Sequence, residues 1–297
     1  MNCIFCHKDS STSKSIEHII PESLGNKSHV LPKGYVCDEC NNYFARKIEK
    51  EVLETPYFVS SRFRNEILTK KNKHVKQSMI FPGAMKTTEV IFQRTEEGLI
   101  CSFNDEDLFQ TIIAGKCNQI IAPYLPELDY PNKYMPRFLA KCAYEYLLYI
   151  IKEEQRDDFV KDFLMDKQLD PIRLYARYGN NKWQYSQRRI YDEGTLFVDS
   201  ENNTPYELLH EMTLFFCDFV DYGDNRYAAE IYFATIILGV EYVICISDPD
   251  ISGYYKWLTK NNNKSPLFRN NEKLQDIGIA DVNKLLIKKA DANIMHK

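Results

Sequence analysis

The chain has 297 residues, 44% of them hydrophobic and 27% charged, with a formal net charge of −4; it is long enough for a buried core and about two domains, with the composition of an ordinary globular protein. It holds no run of about eighteen apolar residues, and a cysteine stands at position 3, so neither a membrane span nor a secretory leader is expected. Charge is uneven: residues 1–76 carry thirteen Lys and Arg against nine Asp and Glu, whereas the remainder carries twenty-five against thirty-three, which favours the N-terminal part as a phosphate-binding surface.

Two C-x-x-C knuckles come first, Cys3–Cys6 and Cys37–Cys40. Each places two sulfurs within reach of one ion, and two knuckles together make the tetrahedral thiolate set of a structural zinc. Between them lies Glu17-His18-Ile19-Ile20-Pro21, in a segment from Ser15 to Ile20 that reads as a short strand. Pro32-Lys33-Gly34 reads as a hairpin turn into Tyr35-Val36. After Cys40, Phe44, Ile48 and Val52 recur every four residues, which predicts an amphipathic helix ending before Pro56, with Asn41 or Asn42 near its N-terminus. Arg46, Lys47 and Lys50 fall on its exposed faces, where Glu49 and Glu51 also stand; they read equally as a solvated surface or as phosphate contacts. Glu49 is a weaker candidate for the site than Asn41.

These strings, C-x-x-C, then E-H-I-I-P-E-S-L-G, then V-C-D-E-C-N-N-Y-F, resemble the HNH endonucleases, in the four-cysteine branch of the His-Me finger (ββα-metal) superfamily. The resemblance covers roughly residues 1–54. It implies a zinc held by Cys3, Cys6, Cys37 and Cys40, a general base at His18, and a catalytic divalent ion held by Glu17 and Asn41. One position departs from the pattern: Pro32 stands where many members carry an asparagine that orients the base. A backbone carbonyl, His29 or Asn42 is the expected substitute. The oxygen donors of Glu17 and Asn41 suit magnesium or manganese, and the four thiolates suit zinc. An imidazole titrating near neutrality can take the proton of an attacking water. The implied activity is phosphodiester hydrolysis in DNA, with an RNA-directed nuclease or a catalytically weak zinc-finger binding module as alternatives. By analogy alone, a small nuclease finger joined to a larger domain suits a bacterial anti-phage defence effector or a mobile-element enzyme.

Farther along, Lys70-Lys71-Asn72-Lys73-His74-Val75-Lys76 reads as a solvated connector or a track for a phosphate backbone, with Lys70, Lys71 and Lys73 as its contacts. Glu89–Gln93 and Leu99–Phe103 flank Arg94–Gly98 as a hairpin. Met135–Ile151 has helical spacing, with Phe138, Leu139, Cys142, Ala143, Tyr146, Leu147 and Ile150 on one side, and Phe159–Met165 extends the helical region. His210–Val220, Tyr227–Ile237 and Glu241–Ser247 read as three antiparallel strands with a turn at Tyr222–Asn225, and the tail around Val282–Lys289 as a helix. Dinucleotide, P-loop and serine-hydrolase signatures are missing.

The expected fold class is α+β: a zinc-stabilised ββα-metal finger over residues 1–58, a basic connector over 59–76, and a larger α+β domain with an antiparallel sheet over 77–297. That acidic domain is expected to bind a protein, a small ligand or a second copy of the chain rather than DNA. The five cysteines outside the knuckles (Cys101, Cys117, Cys142, Cys217 and Cys245) read as reduced thiols of a cytoplasmic protein.

Overall fold

The computed structural model describes residues 1–82, 87–95, 98–116, 119–123, 125, 132–153, 160, 163, 166–198, 205–207, 210–221 and 227–268. It is a mixed helix-and-sheet fold whose sheets are antiparallel. The chain divides into two compact units, one of Met1–Asp166 with Arg173–Asn180 and one of Lys167–Ile172 with Asn181–Lys297. The boundary expected at residue 58 therefore falls inside the first unit.

In the first unit, strand β1 (Glu17–His18) pairs antiparallel with β2 (Val30–Leu31), Glu17 opposite Leu31 and His18 opposite Val30. The turn at Pro32–Gly34 lies after this pair and not within it, so the partner of β1 precedes Pro32, contrary to the expected hairpin into Tyr35-Val36. Tyr35 instead accepts from the Ile4 N–H, closing the first knuckle against the second.

Helix α1 (Asp38–Phe44) begins three residues earlier than expected, because Cys37 caps it: its sulfur accepts from the Cys40 N–H at 3.4 Å. Asp38 and Glu39 in the first turn complement the helix dipole. Ala45–Glu49 continues as a π turn, with the Lys50 N–H bonded to the Ala45 carbonyl, and α2 (Lys50–Leu53) completes the run. A widened turn rotates the residues after it, a feature frequent at functional sites. Pro56 then opens helix α3 (Pro56–Arg64), whose Tyr57, Phe58 and Ser60 through Phe63 are buried.

A three-stranded sheet follows, in order β3 (Lys76–Pro82), β4 (Thr87–Thr95), β5 (Gly98–Ser102). The expected hairpin is β4–β5, with Arg94 opposite Leu99; β3 had no clear alternation to reveal it. Phe63, Phe81, Val90, Phe92 and Leu108 form its core with α4 (Glu106–Ile113).

Helix α5 (Met135–Glu153) covers the expected Met135–Ile151. It is buried nearly all round from Phe138 to Tyr146, including Lys141 and Glu145, not on one stripe. Its Tyr144 meets Phe5, which in turn meets Phe44 with ring centroids 4.5 Å apart. Ile4, Phe5, Ile19, Ile20, Leu24, Leu31, Phe44, Ile48 and Val52 are fully buried, so the N-terminal segment shares one core with α5. Helix α6 (Asp170–Tyr178) supplies Arg173, which donates to the Phe5 carbonyl.

The second unit holds a four-stranded antiparallel sheet, β6 (Tyr185–Arg189), β11 (Val240–Cys245), β10 (Tyr227–Ile237) and β9 (His210–Asp221) in spatial order. Three of these strands match the expected ones; β6 is additional. A small pair, β7 (Leu196–Val198) and β8 (Pro205–Glu207), stands apart. The β10–β11 turn uses Leu238 (φ 52°) and Gly239 (φ 81°), where a Cβ on Gly239 would lie 2.4 Å from the Tyr191 carbonyl. Helix α7 (Ser252–Lys260) packs Tyr254 and Leu258 onto the sheet beside Tyr232. The expected turn at Tyr222–Asn225 and the tail helix lie outside the described residues. Among the described residues no helix is long and apolar enough to cross a membrane.

Candidate active site

The four knuckle cysteines converge. The Sγ atoms of Cys3, Cys6, Cys37 and Cys40 all lie within 4.8 Å of one another, and Cys6 and Cys37 are 3.6 Å apart. Tetrahedral zinc with bonds near 2.3 Å needs sulfurs about 3.8 Å apart, so the donor set fits zinc in type, number and spacing. The Cys3 thiol is held down to about 4, chiefly by its hydrogen bond with Cys40, while that bond and burial push Cys40 up. Burial pushes Cys37 up to about 11. Four sulfurs this close repel when ionised; a divalent cation removes the repulsion, and binding it expels protons. Although burial works against its charge, the Arg177 guanidinium is held above the usual arginine range by the Cys40 sulfur. It also lies 3.7 Å from the Tyr43 ring centroid, in the range of a strong cation–π contact.

The knuckles set the end of α1 against β1. Asp38 accepts from the N–H groups of Lys14 and Ser15, the latter at 2.9 Å. One turn on, Asn41 Nδ2 donates to Glu17 Oε2 at 2.6 Å and reaches the Ile16 carbonyl at 3.3 Å. Glu17 and Asn41, 24 residues apart in the chain, are thus in direct contact. A half-turn of the Asn41 amide would present Oδ1 instead of Nδ2 toward the same place. Two adjacent oxygen donors of this kind fit a hard divalent ion such as magnesium or manganese.

Glu17 is buried. Burial pushes its carboxyl up, against the pull of Lys141, whose Nζ lies 2.6 Å from Oε1. His18 is half-buried, and burial pushes its imidazole below the ordinary histidine range, with the Glu22 carboxylate and the Asn26 carbonyl opposing. Its Nδ1 is buried without a hydrogen bond of normal geometry. The Asn26 carbonyl lies near the ring.

Asn26 was not legible as a site residue, yet it holds the loop that carries His18. It is fully buried; Nδ2 donates to the carbonyls of Ile20 (2.7 Å) and His29 (2.9 Å), and Oδ1 accepts from the N–H groups of Ser28 and His29. Asn26→Ala removes all four bonds and leaves the buried Ile20 carbonyl without its donor. The expected cost is about 2 kcal/mol or more in denaturant unfolding of the full chain; an unchanged midpoint would show the loop to be held by other contacts. His29 itself faces Tyr149, with ring centroids 5.6 Å apart, and Asn42 is exposed.

The basic candidates are exposed: Arg46 and Lys47 on the π turn, Lys50 paired with Glu54 at 3.7 Å, and Lys70, Lys71 and Lys73 in the connector. Lys70 lies close enough for its charge to act on both Glu17 and His18. Glu49, the weaker candidate of the sequence, is turned inward by the π turn, with Oε1 2.8 Å from Lys141 Nζ.

Residues 3–56 match the HNH endonuclease family. The match covers under a fifth of the chain and includes all four cysteines, Glu17, His18 and Asn41. It assigns nuclease chemistry to this HNH segment in general terms and says nothing of residues 57–297. No curated protein and no solved structure matches the chain.

Proposed function

We propose that the HNH segment is a metal-dependent endonuclease of the ββα-metal type, hydrolysing phosphodiester bonds in DNA. The observation that supports it best is the meeting of Glu17 and Asn41 at 2.6 Å beside His18, next to the four-cysteine cluster, in the segment that matches the family. On this reading zinc is structural: it joins the first knuckle to the helix that carries Asn41. His18, kept neutral by partial burial, takes the proton of the attacking water. Glu17 and Asn41 would hold a magnesium or manganese ion, which when bound neutralises charge on the phosphate and the leaving oxygen. The experiment is a divalent-ion titration of DNA cleavage by the full chain, with a matched RNA beside it. Glu17→Ala and Asn41→Ala should raise the ion concentration needed for half-maximal cleavage. Variants with wild-type ion requirements would remove both residues from the site, and preferential RNA cleavage would reassign the substrate.

Phosphate contacts are placed on the basic face around the site. Lys70 adds positive potential at Glu17 and His18, and Lys71 and Lys73 are exposed beside it in the sequence. Each phosphate that the protein neutralises adds about 0.9 to the steepness of log affinity against log salt. Charge reversal at Lys70, Lys71 and Lys73 should therefore weaken DNA binding and flatten that slope by about 2 to 3 units. An unchanged slope across a salt series would move the DNA-binding surface elsewhere. The acidic remainder would act through a protein, a small ligand or a second copy of the chain.

A further inference from the structure

Lys141 is a fully buried cation on α5, well outside the segment that matches the family. Its Nζ stands among five oxygens: Glu17 Oε1 at 2.6 Å, Glu49 Oε1 at 2.8 Å, the His18 carbonyl at 2.9 Å, Glu145 Oε2 at 3.1 Å and the Ile19 carbonyl at 3.4 Å. An ammonium has three protons to donate. The shortest contacts go to the two carboxylates of the HNH segment and to the backbone of His18. Glu145, one turn along α5, is left with Oε1 unpartnered. The neighbouring Cys142 Sγ donates to the Ile19 carbonyl at 3.0 Å. Two consecutive residues of α5 thus grip the strand end that carries Glu17 and His18.

We propose that Lys141 is a positioning residue of the nuclease site. It fixes the rotamer of Glu17 from one side while Asn41 holds the other oxygen, and it pins the His18 backbone. This rests on the reading of Glu17 and His18 as nuclease residues. The site is then not self-contained in residues 3–56: α5 completes it. The π turn belongs to the same device, because it aims Glu49 at the same ammonium. A buried cation facing three carboxylates would be costly as mere packing, since a hydrophobic side chain of similar volume often serves as well.

The test separates positioning from charge. Lys141→Met alone makes the cluster more anionic, which by itself attracts a divalent ion. Lys141→Met with Glu145→Gln removes one positive and one negative charge, so the formal charge of the cluster stays as in wild type. In the full chain, this pair is expected to keep its zinc and to unfold earlier than wild type, because the buried oxygens of Glu17 and Glu49 lose their donor; the ion requirement is the deciding readout. Its divalent-ion requirement for DNA cleavage should rise by about ten- to a hundredfold, the loss typical when the partner that orients a metal ligand is removed. A merely structural role would move the unfolding transition and leave the ion requirement alone. Cleavage with the wild-type ion requirement overturns the proposal. So does a lowered requirement, which would make Lys141 a competitor of the ion. If the pair does not fold, Lys141→Gln, which keeps an N–H donor for Glu17, takes its place and should show a smaller rise; a wild-type requirement there overturns the proposal equally. A wild-type chain that cleaves nothing removes the nuclease reading itself, an outcome distinct from cleavage indifferent to Lys141.

Discussion

Cys37→Ser is expected to strip zinc from the protein and unfold the HNH segment. Cys37 has two jobs: it supplies a sulfur to the four-cysteine cluster, and it caps α1 through the Cys40 N–H. Serine can keep a weak version of the cap but not the thiolate. Structural zinc contributes on the order of 10 kcal/mol or more to the folding of such modules, and a whole domain has only about 5–15 kcal/mol of net stability. The segment shares its core with α5 through Phe5, Phe44 and Tyr144, so the damage should extend into the first unit. The four-stranded sheet of the second unit has its own core around Tyr232, Tyr254 and Ile236 and should persist. Elemental analysis should give one zinc per wild-type chain and a large loss in the variant, with the low-temperature part of the unfolding profile displaced. A variant with full zinc and a wild-type profile would show that the cluster does not hold the segment together.

The second large effect is on turnover. His18→Ala should lower DNA cleavage about a hundredfold or more, the usual worth of a positioned general base. The zinc should be untouched, because its donor set is the four cysteines and His18 is not among them. Its backbone contacts, the pairing with Val30 and the acceptance from Lys141, survive the substitution. Equal zinc content and an equal unfolding midpoint would therefore accompany the loss. Unimpaired cleavage by the variant would remove His18 from the chemistry.

The four-cysteine cluster and the HNH segment were legible because their signals are local. Paired cysteines three apart, Glu17 beside His18, and Asn41 after the last cysteine are all short-range patterns; the resemblance they carry implies that Glu17 and Asn41 share a site, and the two side chains are in contact. The helix after Cys40 was legible from Phe44, Ile48 and Val52, all now fully buried. Its start was misplaced because a cysteine is not an ordinary cap; here the sulfur performs that role. The π turn was invisible, since apolar residues spaced by four do not reveal one bond shifted from i−4 to i−5. Lys141 and Glu145 carry no local signal, since both stand outside the apolar residues that the helical spacing of Met135–Ile151 marks. Only the tertiary fold shows that α5 is covered on that side too, with Glu17 and Glu49 brought to it from more than ninety residues away. Strands β3 and β6 lack clean alternation; each is defined by its partner, β4 for Lys76–Pro82 and β11 for Tyr185–Arg189.

The central claim is that this chain breaks DNA with a divalent ion and His18. Its most direct measurement is the conversion of supercoiled plasmid to nicked or linear product, with wild type and His18→Ala purified in parallel. Magnesium or manganese should support conversion by wild type, chelator should stop it, and His18→Ala should lag by about a hundredfold under every condition. Conversion at the same rate by both proteins, or none by wild type with either ion, would contradict the account.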